Sequence, residues 1–92
     1  MADRKDWIIT TYNSDDHGIY LTRFYGSEGE VKELLLSFVK DDRLYNDDFN
    51  YGTEDLESIS SIDSDRFWAY SVFWGYCIDY VAQEFSTIGV VK

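Results

Sequence analysis

The stretch from Phe67 to Phe85, FWAYSVFWGYCIDYVAQEF, has eight aromatic residues in nineteen, Trp68 and Trp74 among them. Each buried ring takes roughly 150–250 Å² out of water, so this segment must supply much of a core. It has two periodic readings. With period two, Trp68, Tyr70, Val72 and Trp74 face one way and Phe67, Ala69, Ser71 and Phe73 the other. Gly75 then makes a turn or bulge, and Tyr76, Ile78 and Tyr80 continue in a further strand. With period 3.6, Tyr70, Phe73, Trp74, Cys77, Ile78, Val81 and Phe85 also form a stripe, so periodicity alone does not choose. Aromatic and β-branched residues dominate up to Tyr80, which favours two strands over one long helix.

The remaining elements follow from shorter signals. Trp7–Tyr12, WIITTY, reads as a strand. The turn formers Asn13–Gly18 follow, ending in a glycine able to take positive φ, and Ile19–Tyr25 reads as the second strand of a hairpin. Ser27-Glu28-Gly29-Glu30 is a capping box, and Val31, Leu34, Leu35, Phe38 and Val39 make one apolar stripe, predicting a helix from about 28 to 42. Residues 45–58, YNDDFNYGTEDLES, read as a loop in which Thr53 caps a short turn of helix at 54–58. Ile59–Ile62 can form a short strand, and Val90-Val91 in the tail is strand-like. With 92 residues there is room for one core, so residues 1–92 are expected to form a single domain. The expected class is α+β: an antiparallel sheet of four or five strands with one main helix on one face, ordered ββα then βββ.

Charge is distributed very unevenly. The formal net charge is −10, and the 25 residues from Asp41 to Asp65 hold nine acids (Asp41, Asp42, Asp47, Asp48, Glu54, Asp55, Glu57, Asp63, Asp65) against Arg43 alone. Such a field repels nucleic acid and anionic lipid and attracts basic surfaces. No apolar run approaches the roughly 18 residues of a membrane span. The first residues show no signal region, and the single cysteine suits a reducing compartment, so a cytoplasmic location is expected.

Chemistry of the enzymatic kind finds little support. His17 is the only histidine and Cys77 the only cysteine, far apart in sequence, so no local Cys–His pair exists. Zinc would need more soft ligands than these. Placing Gly52 at the sixth position of an EF-hand loop puts Asp47 first, but Phe49, Tyr51 and Ser58 then fall on ligand positions. Neither a metal nor a cofactor is expected, and the chain reads as a non-enzyme.

Two readings of the acidic block remain. In one it is a solvated loop that keeps an aromatic protein soluble. In the other it mimics nucleic acid, with carboxylates on a rigid scaffold occupying the Lys/Arg groove that duplex DNA, at about one charge per 1.7 Å of axis, would fill. The nine acids are then the partner-binding residues, and Tyr45, Phe49 and Tyr51, interleaved with them, pin the loop or add interface contacts. An alternative from another class is an interaction or assembly module, possibly a homodimer, using aromatic surface around Trp68, Trp74 and Tyr76.

Three segments, Phe24–Lys32 (FYGSEGEVK), Tyr51–Glu54 (YGTE) and Tyr76–Ala82 (YCIDYVA), resemble those of small acidic proteins from phages and mobile elements of Gram-positive bacteria. In size and charge the whole chain is similar to anti-CRISPR and antirestriction inhibitors. That resemblance implies an inhibitor whose partner is a basic nucleic-acid-binding protein such as a defence nuclease. It carries over no functional residue.

Overall fold

Local pattern and tertiary pairing combine to give the order β1 (Lys5–Asn13), β2 (Gly18–Gly26), α1 (Glu28–Tyr45), β3 (Phe49–Gly52), β4 (Ser60–Asp63), β5 (Arg66–Phe73) and β6 (Tyr76–Glu84). The structure, a computed structural model, describes residues 4–63 and 65–85. The strand-like Val90-Val91 lies outside them. Every strand pairing is antiparallel, and the six strands run β2-β1-β6-β5-β3, with β4 also on β5. The class is therefore α+β, with one strand more than the four or five expected.

The added strand is β3, inside the stretch read as a loop. Its turn-forming neighbours hid it, and what makes it a strand is non-local: Phe49 pairs with Phe73 and Gly52 with Ser71. Gly52 is there because the backbone comes close, since a Cβ would meet the Tyr70 carbonyl oxygen at 2.6 Å. The helical turn expected at 54–58 is absent. Thr53 instead completes the sheet, taking the Tyr70 N–H on its Oγ1 at 3.1 Å and donating its own N–H to the Tyr70 carbonyl at 3.0 Å. Ser58 and Asp55 then close the following loop on themselves. β3 covers the upper half of β5 and β4 the lower half, so two short strands share one sheet edge.

The aromatic segment is a β5–β6 hairpin, not a helix. Burial alternates strictly along β5, with Phe67, Ala69, Ser71 and Phe73 inside. Gly75 makes the turn at φ 95°, a conformation open to glycine. In the β1–β2 turn the positive φ falls on His17 (55°) and not on Gly18. There the Asp16 carboxylate accepts from the Gly18 N–H at 2.7 Å, and a Cβ on Gly18 would collide with that same oxygen.

The helix runs three residues past its expected end. Its N-terminus has the expected box, with Ser27 Oγ accepting from the Glu30 N–H at 3.2 Å and Glu30 Oε1 accepting from the Ser27 N–H at 3.0 Å. Those bonds from Ser27, the backbone one first, hold the Glu30 carboxyl below its ordinary 4.5. A depressed carboxyl contributes stability above its unfolded pKa and loses it as pH falls. Ser27→Ala removes the N-cap acceptor and is expected to cost about 1 kcal/mol. The variant keeps the Ser27 N–H that bonds Glu30, so both proteins should also lose stability as that carboxyl protonates in acid, as read by urea unfolding at neutral and acid pH.

Val31, Leu35, Leu36 and Val39 of α1 are buried against Trp7 and Ile9 of β1, Phe67 and Ala69 of β5, and Tyr80 and Ala82 of β6. Trp7 is wholly enclosed; its indole N–H donates to the Gly26 carbonyl at 2.9 Å and its ring leans on Phe67 at 5.7 Å. The helix thus covers one face of the sheet. Side chains of the intervening positions, among them Ile8, Thr10, Tyr12, Trp68, Tyr70 and Val81, are half-buried on the other face. The dimensions, 38 × 35 × 19 Å, are those of a thin slab of two layers. Among the described residues no helix is long and apolar enough to cross a membrane.

Candidate functional site

Antiparallel topology brings three connections to one end of the slab: the β1–β2 turn, the β5–β6 turn, and the C-terminus of α1 with its link to β3. Backbone bonds tie them together. The Ser14 N–H donates to the Cys77 carbonyl at 3.0 Å, the Cys77 N–H returns to Ser14 Oγ at 2.9 Å, and the Trp74 N–H donates to the Asp48 carbonyl at 2.9 Å. Asn46 closes the helix by donating its side-chain N–H to the Asp42 carbonyl at 3.0 Å.

Six carboxylates sit on these connections: Asp15, Asp16, Asp41, Asp42, Asp47 and Asp48. Four of them, Asp15, Asp41, Asp42 and Asp48, act on two tyrosines. The Tyr76 hydroxyl is pushed up first by burial, then by its hydrogen bond to Asp48 and by the charges of Asp48, Asp15 and Asp42. The Tyr80 hydroxyl is pushed far up by burial first, then by the bond to Asp42 and the charges of Asp42 and Asp41. Both rings stay neutral donors throughout the physiological range. Asp41 and Asp42 also stand in the last turns of α1, where the partial negative charge of the helix carbonyls adds to theirs. Acids are disfavoured there.

One of the six differs from the others. Asp42 Oδ2 accepts from Tyr80 Oη at 2.6 Å and from Ser71 Oγ at 2.7 Å, two hydroxyls buried beneath the helix. It ties the helix C-terminus to β5 and β6. Asp41 and Asp47 are exposed, and Asp48 is half-buried beside Tyr76. The ion pairs among the described residues, Arg4–Glu30, Lys5–Glu84 and Arg23–Asp6, involve none of the six. Arg43, the one cation in the final helical turn, stacks over the Phe49 ring at 5.2 Å. Trp74, 71% exposed, projects from the β5–β6 turn amid this charge.

The acids grouped together along the chain are divided in space. Asp41, Asp42, Asp47 and Asp48 lie at this end. Glu54, Asp55 and Glu57 are exposed on the loop that crosses the side of the slab, with Leu56 beside Leu36 and Lys40 of the helix. Asp63 and Asp65 bracket the β4–β5 connection at the other end, the full length of β5 away. Asp15 and Asp16 were missed because they lie outside the dense block. The signal that could have placed them is topological: alternate turns of an antiparallel sheet fall at the same end.

Of the three aromatics interleaved with the acids, Phe49 alone is a pin, edge-on to Phe73 at 5.7 Å. Tyr45 and Tyr51 are exposed, and Tyr51 meets Tyr70 edge-on at 6.3 Å. Trp68, Trp74 and Tyr76 do not share one surface. Trp68 lies on the open sheet face and donates to Asp79 at 2.9 Å. Tyr76 stacks on Phe73 at 4.6 Å, and Trp74 is in the turn between their strands. His17 meets Tyr12 Oη at 3.0 Å, and no hydrogen bond joins it to Cys77. Among the described residues no cluster of three His, Cys, Asp or Glu side chains is placed to hold a metal ion.

The fold and this end together define a two-layer α+β protein with a concentrated negative surface. Compared with protein-family models, with curated proteins and with solved structures, the chain has no match.

Proposed function

We propose that this chain is a small, non-enzymatic protein-binding inhibitor that competes with nucleic acid for the basic groove of its partner, a nucleic-acid-binding protein such as a defence nuclease. The observation that carries this reading is the convergence of six carboxylates and the negative end of α1 on one end of the slab, away from the ion pairs. Local rules of helix stability are broken there, which is where function is usually found. The working surface is Asp15, Asp16, Asp41, Asp47 and Asp48, with Trp74 as the apolar anchor. The turns that carry most of these groups are tied together by the Ser14–Cys77 and Trp74–Asp48 bonds, so their backbone loses little freedom on binding. Their field steers a cationic groove onto them, and counterions leave as they do when DNA binds.

The test is a low-salt capture from host lysate with wild type and with a variant carrying Asp15→Asn, Asp41→Asn and Asp47→Asn, leaving Asp42 to its structural role. The expected result is a basic nucleic-acid-binding protein held by wild type only and released by duplex DNA. Affinity should also fall by orders of magnitude between about 50 and 200 mM salt. Equal capture of the same partner by both versions defeats the proposal. That outcome would favour the second reading, a module binding through aromatic surface, which the uncovered face around Trp68 and Tyr70 supports. Such an interface would respond weakly to salt.

A further inference from the structure

The two edges of the sheet are built differently. At the β5 edge, β3 and β4 are four residues each, both are irregular in register, and acids lie beside them. Short, bulged, charged strands are the usual protection against unwanted pairing. The β2 edge is neither short nor bulged. Gly18–Gly26, GIYLTRFYG, is nine residues long, regular in register with β1, and free of proline, lysine and carboxylate. Ile19, Leu21 and Tyr25 are 65%, 70% and 60% exposed, all on the open face. Among the described residues no strand lies on its outer side.

We propose that β2 pairs with β2 of a second copy of this chain, antiparallel, making one sheet continuous across both. Charge identifies the occupant. A chain of net charge −10 can approach itself closely only where carboxylates are missing, and β2 carries a single charge, Arg23. Two-fold symmetry makes self-pairing antiparallel, so the acidic ends of the two copies point in opposite directions. Lys5 pairs with Gly26 within each copy. The Asp15–Asp16 turn of one copy therefore falls at the Lys5 end of the other, away from that copy's own acidic turn.

Register follows from the same strand. Side chains on a shared face require the axis to pass through a residue, and an axis at Arg23 would set two guanidinium groups opposite each other. An axis at Thr22, the midpoint of Gly18–Gly26, pairs the whole strand and places Ile19 opposite Tyr25 and Leu21 opposite Arg23. The acidic end stays uncovered, so this dimer is independent of the inhibitor reading and would present two such ends.

Sedimentation equilibrium over a wide concentration range tests it. Wild type should pass from the mass of one chain, 10.8 kDa, towards twice that. Ile19→Lys with Leu21→Lys, both at exposed positions, should weaken the association by at least about tenfold, because a symmetric interface feels each change twice. Leu44→Lys, at an exposed apolar position on the helix, should change nothing. Thr22→Cys, meeting itself at the axis, should form a cross-linked dimer on mild oxidation, which decides the matter even where the double variant folds poorly. Wild type remaining at one chain's mass throughout overturns the proposal. So does a dimer indifferent to the β2 changes, or absence of the Thr22→Cys cross-link in a chain that does dimerise.

Discussion

Trp7→Ala is expected to lower the free energy of unfolding by about 3–5 kcal/mol, the range for removing a large aromatic from a closed core. A domain of this size has about 5–15 kcal/mol in total, so the variant should be largely unfolded after modest warming. Trp7 is completely enclosed between the sheet and the helix, and its ring packs on Phe67. Its loss also leaves the Gly26 carbonyl without the indole N–H at 2.9 Å. Trp7→Phe separates the two contributions: it keeps much of the ring volume but not the donor, and should cost about 1–3 kcal/mol. Urea unfolding followed by far-ultraviolet circular dichroism measures both. Equal, small losses for the two variants would mean that this residue does not anchor the core.

The second large effect is at Asp42. Asp42→Ala should cost about 2–4 kcal/mol, since it strands the Ser71 and Tyr80 hydroxyls beneath the helix. For a chain of this size that corresponds to a fall in melting temperature of roughly 10–30 °C. Asp42→Asn keeps an acceptor oxygen and should cost less. Alanine at Asp41 or Asp47, both exposed, should leave the melt nearly unchanged. Alkali gives a matching signature. Tyr80 has its pKa raised above the ordinary 10.0, by burial first and by Asp42 second. Its contribution is therefore present below that value and is lost as pH rises through the folded value. Wild type should weaken steadily in strong alkali, whereas a melt insensitive to alkali would count against the buried Tyr80–Asp42 pair.

The parts of the fold that were legible are those written in neighbouring residues. The capping box at Ser27 and Glu30, the stripe Val31–Val39 and the β1–β2 hairpin each depend on contacts within a few positions. The aromatic segment satisfied two periods at once, and the pairings of β5 with β6, β3 and β4 decided between them. β3 was concealed by Asn, Asp and Gly because its reason for being a strand is Phe73, far along the chain. The acidic block was legible as density and illegible as shape. Asp42 looked like its neighbours, yet its partners are 29 and 38 positions away. Asp15 and Asp16 looked like turn residues, and they are, but the sheet returns that turn to the end where the helix stops.

The first strand lies in the middle of the sheet, bonded to β2 on one side and to β6 on the other, with Trp7 opposite Glu84. Two hairpins and a helix can each form early from nearby residues, but the core face is complete only when β6 docks on β1. Closing so long a loop carries an entropic penalty that must be met before its contacts repay it, and folds rich in such pairings take milliseconds to seconds. During synthesis, then, Trp7 and Ile9 emerge long before their neighbours Ala82 and Glu84 and wait until β6 has been made. For that interval the nascent chain leaves exposed two side chains that the finished fold encloses completely, and whatever protects them then must come from the cell.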